Sequence, residues 1–503
     1  MANTVQRTIL FLIADTGAGH RSAANAIRNA IAVISQQEQE AWQAKQQKNV
    51  EGIEGKTGAT SLESPSSSPL PSVPSSPPPT YRIEIVNVFE EYSRFPLREA
   101  VKLYGPAIRY NPKLYGRVFH LSNESSRVAA VKTVATPLIH NGLLQLITSV
   151  QPDVIVSIHA MLNHVTIEAL RDLHLNIPFI TVVTDLISVH YAWFAPGADC
   201  YIVPTEHAKQ LYLERDLDPE RVRVIGMPID PKFTRPTDSK AELRRKFGLA
   251  QDIPVVLLAG GGEGSGGLQE AVRAISRARL PVQMLIITGR NKRLYAHLQR
   301  TRSSLHVPAK VYGFVQNMPE MMRAADVIVT KAGPGTIAEA LACDLPIILS
   351  GYVPGQEEGN VDFVLKNEVG MLAHDAIELV DTLRLLIKPG SLKLRLWHKN
   401  AQRISRPRAS FDIAGTILSY LPAAEKPGIW QTAHWRKRRR TLLSPLRSEV
   451  RARALRRKLP RMSRVSFLRS PVMRRLAHLR SAGLSYRRAR IIDIDQQRDI
   501  QDV

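Results

Sequence analysis

Three times in this chain a short apolar run and a glycine-rich turn lie beside residues of helical composition. Thr16-Gly17-Ala18-Gly19-His20 follows the apolar run 9–14, and GGGEGSGG (residues 260–267) follows the run 255–258. Gly333-Pro334-Gly335-Thr336 opens the helical stretch 336–342. Glycine permits positive φ and close backbone approach, and the next helix offers free N–H groups at the positive end of its dipole. Repeated units of this kind require a parallel sheet covered on both faces, with ligands bound beyond the carboxyl ends of the strands. The turns suit a phosphate or diphosphate, although any one of them alone reads equally well as a tight connection. No Lys-Ser/Thr pair follows the glycines, which argues against a nucleoside triphosphatase, and the first turn lacks the spacing of a dinucleotide fingerprint.

The alternation divides the chain in two. Strands are expected at 9–14, 81–89, 153–158, 178–184 and 200–203, then at 255–258, 284–288, 310–312, 327–330 and 347–350. Helices fill the gaps, among them 22–34, 268–279 and 336–342. The fold class is therefore α/β, with two tandem Rossmann-like domains and a cleft between them. The first spans 1–228 and the second 229–402, joined in the segment 222–233 where Gly226, Pro228 and Pro231 fall. A terminal helix in 403–421 is expected to pack back on the first domain, followed by a tail over 422–503. A length of 503 residues with 44% hydrophobic residues suits two cores rather than one. An insertion at about 36–80 interrupts the first domain. Its segment 61–80 carries seven Pro and eight Ser, a composition that fills no core and reads as disordered.

Charge is unevenly spread. The net charge is +23, yet residues 431–503 alone hold 21 Lys/Arg against 5 Asp/Glu. Such a tail suggests an anionic partner, a membrane surface preferred, with nucleic acid and a disordered tail without a partner as the competing readings. Residues 92–120 mix Tyr92, Phe95, Tyr104, Tyr110, Tyr115 and Phe119 with Arg94, Lys102, Arg109, Lys113 and Arg117. The mixture suits a membrane interface and equally an ordinary helix-rich surface. No run of about 18 apolar residues is present to span a bilayer. The two cysteines, Cys200 and Cys343, sit in unrelated contexts, so neither a disulfide framework nor a metal site is expected and the chain reads as cytoplasmic.

His20 sits where a helix begins beside a phosphate-type turn. It reads as a general base whose pKa can lie near neutrality, or as a helix-start residue that bonds only locally. Glu339 lies on the helix opened by the third turn, where a carboxylate can take two ribose hydroxyls or simply face solvent. Gln356, Glu357 and Asn360 lie in a Gly/Pro-punctuated loop after 347–350. There they offer the donors and acceptors a hexose requires, or form a solvated loop.

Together these segments resemble the monogalactosyldiacylglycerol synthase and processive diacylglycerol glycosyltransferase family, which shares a superfamily with the lipid II-forming N-acetylglucosaminyltransferase. The resemblance is carried, in order, by DTGAGHR (15–21), TVVTDLISVHYAWF (181–194), GGGEGSGG (260–267), GFVQNMP (313–319), TKAGPGTIAE (330–339) and PGQEEGN (354–360). It implies a glycosyltransferase B-type fold and an inverting transfer of a hexose, galactose favoured or glucose, from a UDP-sugar to 1,2-diacylglycerol at a membrane surface. A related transferase using UDP-N-acetylglucosamine or UDP-glucose and another lipid is the alternative. It implies that His20 is the base, that Glu339 holds the uridine ribose, and that Gln356, Glu357 and Asn360 contact the donor hexose. It further implies that Gly261, Gly262, Glu263, Gly264, Gly335 and Thr336 face the diphosphate, and that Phe314 lines the uracil pocket. Gly17, Gly19 and Asp185 fall on the acceptor side. No cofactor or metal is implied. Ala18 stands where the family commonly has glycine, and the Pro/Ser insertion and Arg-rich tail have no place in the family pattern.

Overall fold

The computed structural model describes residues 5–15, 19–54, 77–102, 112–123, 125–261, 267–423 and 430. All of these lie in one compact unit over 1–432. The arginine-rich tail and the core of the Pro/Ser insertion lie outside the described residues.

Two six-stranded sheets, parallel throughout, organise the chain. The first is built from β1 (Gln6–Ile13), β2 (Thr80–Asn87), β3 (Val154–Ser157), β4 (Phe179–Val182), β5 (Cys200–Val203) and β6 (Val222–Val224), in the order β2-β1-β3-β4-β5-β6. The second comprises β7 (Val255–Ala259), β8 (Gln283–Ile287), β9 (Ala309–Tyr312), β10 (Val327–Thr330), β11 (Ile347–Leu349) and β12 (Gly370–Leu372), in the order β12-β11-β10-β7-β8-β9. From β7 the chain winds outward through β8 and β9, returns to β10 beside β7, and then winds the other way. Strand order thus reverses between β7 and β10, and in the first sheet between β1 and β3. A crevice opens beyond the strand ends at such points.

The strands form because their apolar runs are buried on both faces. In β1, residues 7–13 are all buried. Ile9, Phe11 and Ile13 share a core with Ala23, Ile27 and Ile31 of the helix Gly19–Glu54. In β7, Val255 and Leu257 face Ile337 and Ala340, while Val256 and Leu258 face Leu268 and Val272. The helix Ala409–Ser419 sends Ile413, Ala414 and Ile417 into the first domain's core, against the helix Gly19–Glu54.

Three features differ from the pattern read in the sequence. The first helix runs on to Glu54, so residues 36–54 are helical rather than part of the insertion. The stretch 36–48 is dominated by Gln, Glu, Ala and Lys, all good helix formers, and Gln36 bonds Glu40 one turn on at 2.8 Å. Residues 222–224 of the expected connection form β6 on the edge of the first sheet, whereas Met227, Ile229 and Phe233 join the second domain's core. The short edge strand β12, too brief to register as a periodic pattern, completes the second sheet.

Candidate active site at the ends of two sheets

On the first-domain side, the end of β1 leads through Asp15 to the helix that starts at Gly19 and His20. Asp15 pairs with Arg21 through contacts of 2.9 and 2.6 Å and accepts from Asn87 Nδ2 at 3.2 Å, which ties the turn to the end of β2. Gly17 lies outside the described residues, and a Cβ at Gly19 would meet open space. The half-buried His20 ring stands 4.8 Å, edge-on, from His159. His159 precedes the helix Ala160–Leu173 beyond β3 and lies 5.5 Å from Phe89. After β4, His190 caps the turn Tyr191–Trp193 by accepting from Ala192 N–H at 3.1 Å, with Phe119 stacked edge-on at 5.1 Å. Three imidazoles are thus gathered from the ends of β1, β3 and β4.

Their environment decides their charge. Burial pushes His20 down to about 4, against weaker upward pulls from Asp15 and the Ala14 carbonyl. The expectation of a pKa near neutrality is therefore corrected: desolvation dominates, and His20 is neutral at pH 7. Its Nδ1 is buried without a hydrogen-bond partner among the described residues. His190 is likewise lowered to about 4 by burial, and His159 falls well below the usual range through burial and its two neighbours. Asp185 is raised to about 6 by burial, against the indole N–H of Trp193, which donates to it at 2.6 Å. In this structure Asp185 anchors the buried Trp193.

On the second-domain side, β7 and β10 are neighbours, with Ala259 beside Thr330. Turns about 70 residues apart in sequence are therefore side by side in space. Gly261 has φ +65°, which a side chain would strain, and Gly262, Glu263 and Gly264 lie outside the described residues. Gly335 and Thr336 occupy the first turn of the helix Pro334–Ala342, where a Cβ on Gly335 would meet nothing within 4 Å. This helix touches the one that begins at His20. Lys331 bridges the two turns: its Cε would lie 3.6 Å from a Cβ on Gly261 and 3.8 Å from one on Gly333. Its ammonium pairs with Glu357 at 2.6 Å.

Glu339, on the same helix, is raised to about 7 by burial, moderated by Lys232 and reinforced by Asp230. Half-buried at this position, its carboxyl is a candidate acceptor for a ligand's hydroxyls. Phe314 is 60% exposed, and the Arg290 guanidinium lies 5.2 Å from its ring centroid, an arrangement that can sandwich a flat base.

The loop after β11 is held firmly. Buried Glu357 accepts from Lys331 and from Val353 N–H at 2.9 Å. Buried Asn360 donates to Ala332 O at 2.8 Å, fastening the loop to the β10 turn. Gln356 accepts from the Tyr115 hydroxyl at 3.1 Å. Glu357 and Asn360 thus serve first to shape the loop, and Gln356 is joined to the other domain.

Residues 78–229 match the family model described as monogalactosyldiacylglycerol (MGDG) synthase, and residues 255–387 match the glycosyltransferase family 28 C-terminal domain. An Oryza sativa subsp. japonica protein named "Probable monogalactosyldiacylglycerol synthase 2, chloroplastic" is 34% identical over 421 residues, which is 82% of this chain and 80% of that one. The chain belongs to the monogalactosyldiacylglycerol synthase family. It is accordingly an enzyme, a glycosyltransferase. Monogalactosyldiacylglycerol synthase 3, chloroplastic, of Arabidopsis thaliana is 33% identical over 425 residues, covering 82% and 81% of the two chains. Among solved structures, that of Acinetobacter baumannii MurG aligns with a TM-score of 0.48 at 13% identity, covering 82% of this chain and 99% of that one.

Sequence reading singled out no role for His159, His190 or Lys331, and named Tyr115 only among the aromatic residues suited to a membrane interface. His159 and Lys331 carried a usable signal, since each directly follows an apolar strand run, where open-sheet ligands bind. Tyr115 carried none, because its partner lies 241 residues away.

Proposed function

We propose that this enzyme transfers a hexose, galactose in preference to glucose, from a UDP-sugar to the free hydroxyl of 1,2-diacylglycerol, inverting the anomeric centre to give a β-glycosyldiacylglycerol and UDP. The observation that carries the reading is kinship across four-fifths of both chains with proteins named monogalactosyldiacylglycerol synthases. The geometry supports it: His20 starts a helix beyond the end of β1, Gly335 and Thr336 lie in the first turn of a helix beyond the end of β10, and those two helices touch.

In this mechanism the acceptor oxygen attacks the anomeric carbon on the face opposite the diphosphate. The new C–O bond forms as the bond to UDP breaks, and UDP leaves with the electron pair. His20, neutral at pH 7, takes the hydroxyl proton. As a weak base it takes that proton while the bond forms, and Asp15 offsets the positive charge. Charge growing on the diphosphate is met by the N–H groups of Gly335 and Thr336, by the helix dipole and by Lys331. Glu339 receives the ribose hydroxyls, Phe314 stacks on the uracil, and Gln356 meets the hexose.

The proposal places the reaction at a membrane surface, with the protein bound peripherally from the cytoplasm. Among the described residues no helix is long and apolar enough to cross a membrane. Phe95 (79%), Val118 (55%), Leu121 (54%) and Val134 (71%) are exposed, as are Arg94, Arg98 and Arg117, and exposed apolar and basic residues of this kind support interfacial docking.

The test incubates purified enzyme with diacylglycerol in anionic vesicles and offers UDP-galactose, UDP-glucose and UDP-N-acetylglucosamine separately. UDP release, lipid mass and anomeric configuration are read. A β-linked hexosyl-diacylglycerol formed fastest from UDP-galactose is expected. An α-linked product overturns inversion, preference for UDP-N-acetylglucosamine moves the enzyme to the related transferases, and UDP binding without any transfer removes diacylglycerol as acceptor.

A further inference from the structure

Among the described residues, the helix Pro112–Ser122 of the first domain packs on the second domain's loop 354–358. Tyr115, Gly116, Phe119 and His120 lie on one face of it at i, i+1, i+4 and i+5. The Tyr115 hydroxyl donates to Gln356 Oε1 at 3.1 Å, and His120 Nε2 lies 3.2 Å from Glu358 Oε2. Two glycines permit the approach. A Cβ on Gly116 would fall 2.6 Å from Pro354 Cβ, and one on Gly355 would fall 2.8 Å from Phe119 Cδ1. Gly355 also has φ +79°. Contact this close, with a glycine on each side, locks the loop and helix in one register.

From this juxtaposition we infer that Tyr115 is a positioning residue for donor-sugar selection. Its hydroxyl occupies the carbonyl end of the Gln356 amide. With Oε1 held, the amide is kept from flipping end for end, which sets which of its two ends a hexose meets. A hexose is discriminated by which hydroxyl meets a fixed donor, and an amide free to rotate by 180° would accept either epimer. The inference rests on the reading of Gln356 as a hexose contact. His120–Glu358 is an exposed pair and adds little to the positioning.

Tyr115→Phe, Gln356→Ala and the double variant would be assayed with UDP-galactose and UDP-glucose on diacylglycerol vesicles, alongside UDP binding. Loss of one net hydrogen bond predicts a rise in donor KM of roughly 2- to 10-fold for Tyr115→Phe. The galactose-to-glucose preference should narrow, while UDP affinity stays within about twofold. In the Gln356→Ala background, Tyr115→Phe should add nothing. If Gln356→Ala impairs sugar use and Tyr115→Phe is silent or strictly additive, the positioning role falls and the reading of Gln356 stands. If Gln356→Ala itself leaves both donors untouched, both fall. Equal loss of UDP and UDP-sugar binding in Tyr115→Phe would mark a merely structural residue and also overturn the inference.

Discussion

A histidine of ordinary pKa acting as base would give kcat/KM an acid limb near 6.5; burial of His20 predicts one nearer 4. A pH profile of kcat/KM distinguishes the two, and His20→Ala should lose most turnover while keeping UDP affinity. The same burial bears on stability. The unfolded chain takes up a proton at His20 and at His190 below about 6.5, whereas the folded chain resists until about 4. Stability contributed by the neutral rings is therefore complete above the unfolded value and lost as pH falls from 6.5 toward 4. Melting temperature should drop over that window, and His190→Asn, which keeps an acceptor at the cap, should flatten the slope. Glu339 has the opposite displacement, with its carboxyl raised to about 7. If UDP's ribose binds the ionised form, UDP affinity should climb from pH 6 to 8 with release of a proton. Calorimetry in buffers of different ionisation enthalpy reads that proton, and Glu339→Gln should abolish it. Lys331 tests the diphosphate cradle: Lys331→Met should weaken UDP on the order of tenfold, about the worth of one lost charge-assisted bond, with uridine unaffected.

At the scale of elements, the glycine turns place backbone N–H groups where a ligand can reach them, and one glycine brings two elements together. Gly359 opens the helix Glu358–Lys366 of the second domain, and a Cβ there would stand 2.2 Å from Ser188 Oγ and 2.7 Å from Ser188 N in the first. Backbone at that distance cannot yield as a side-chain tip can. Gly359→Ala should force the helix away from the 187–190 segment, with kcat reduced by tenfold or more and UDP affinity retained, since the proposed nucleotide contacts lie on the second domain alone. Steady-state kinetics beside UDP binding separate the two effects. The long first helix has a different logic. Its opening turn carries His20 and its middle packs Ile27 and Ile31 into the core, while residues 36–48, exposed or half-buried, hold helix through propensity and local pairs.

For the whole molecule, two doubly wound sheets each expose a crevice at a reversal of strand order, and the contacts of the Pro112–Ser122 helix and of Gly359 bring the second domain's loop to the first. The architecture was legible in the chain because parallel strands buried on both faces are written as continuous apolar runs, and because tight turns from strand to helix draw glycine. His20, Gly335, Thr336 and Glu339 could be singled out on the same grounds, each being local to a strand end or a helix start. The sequence by itself thus determined the class of fold, the three turns and the residue types beside them. Tertiary structure alone decided which turns are neighbours, since Gly261 and Gly333 meet only because β10 returns beside β7. It decided that the His20 ring is neutral at pH 7, because desolvation depends on what packs around a ring. It also decided that Gln356 is held by Tyr115, because a hydrogen bond between residues 241 positions apart leaves no periodic trace along the chain.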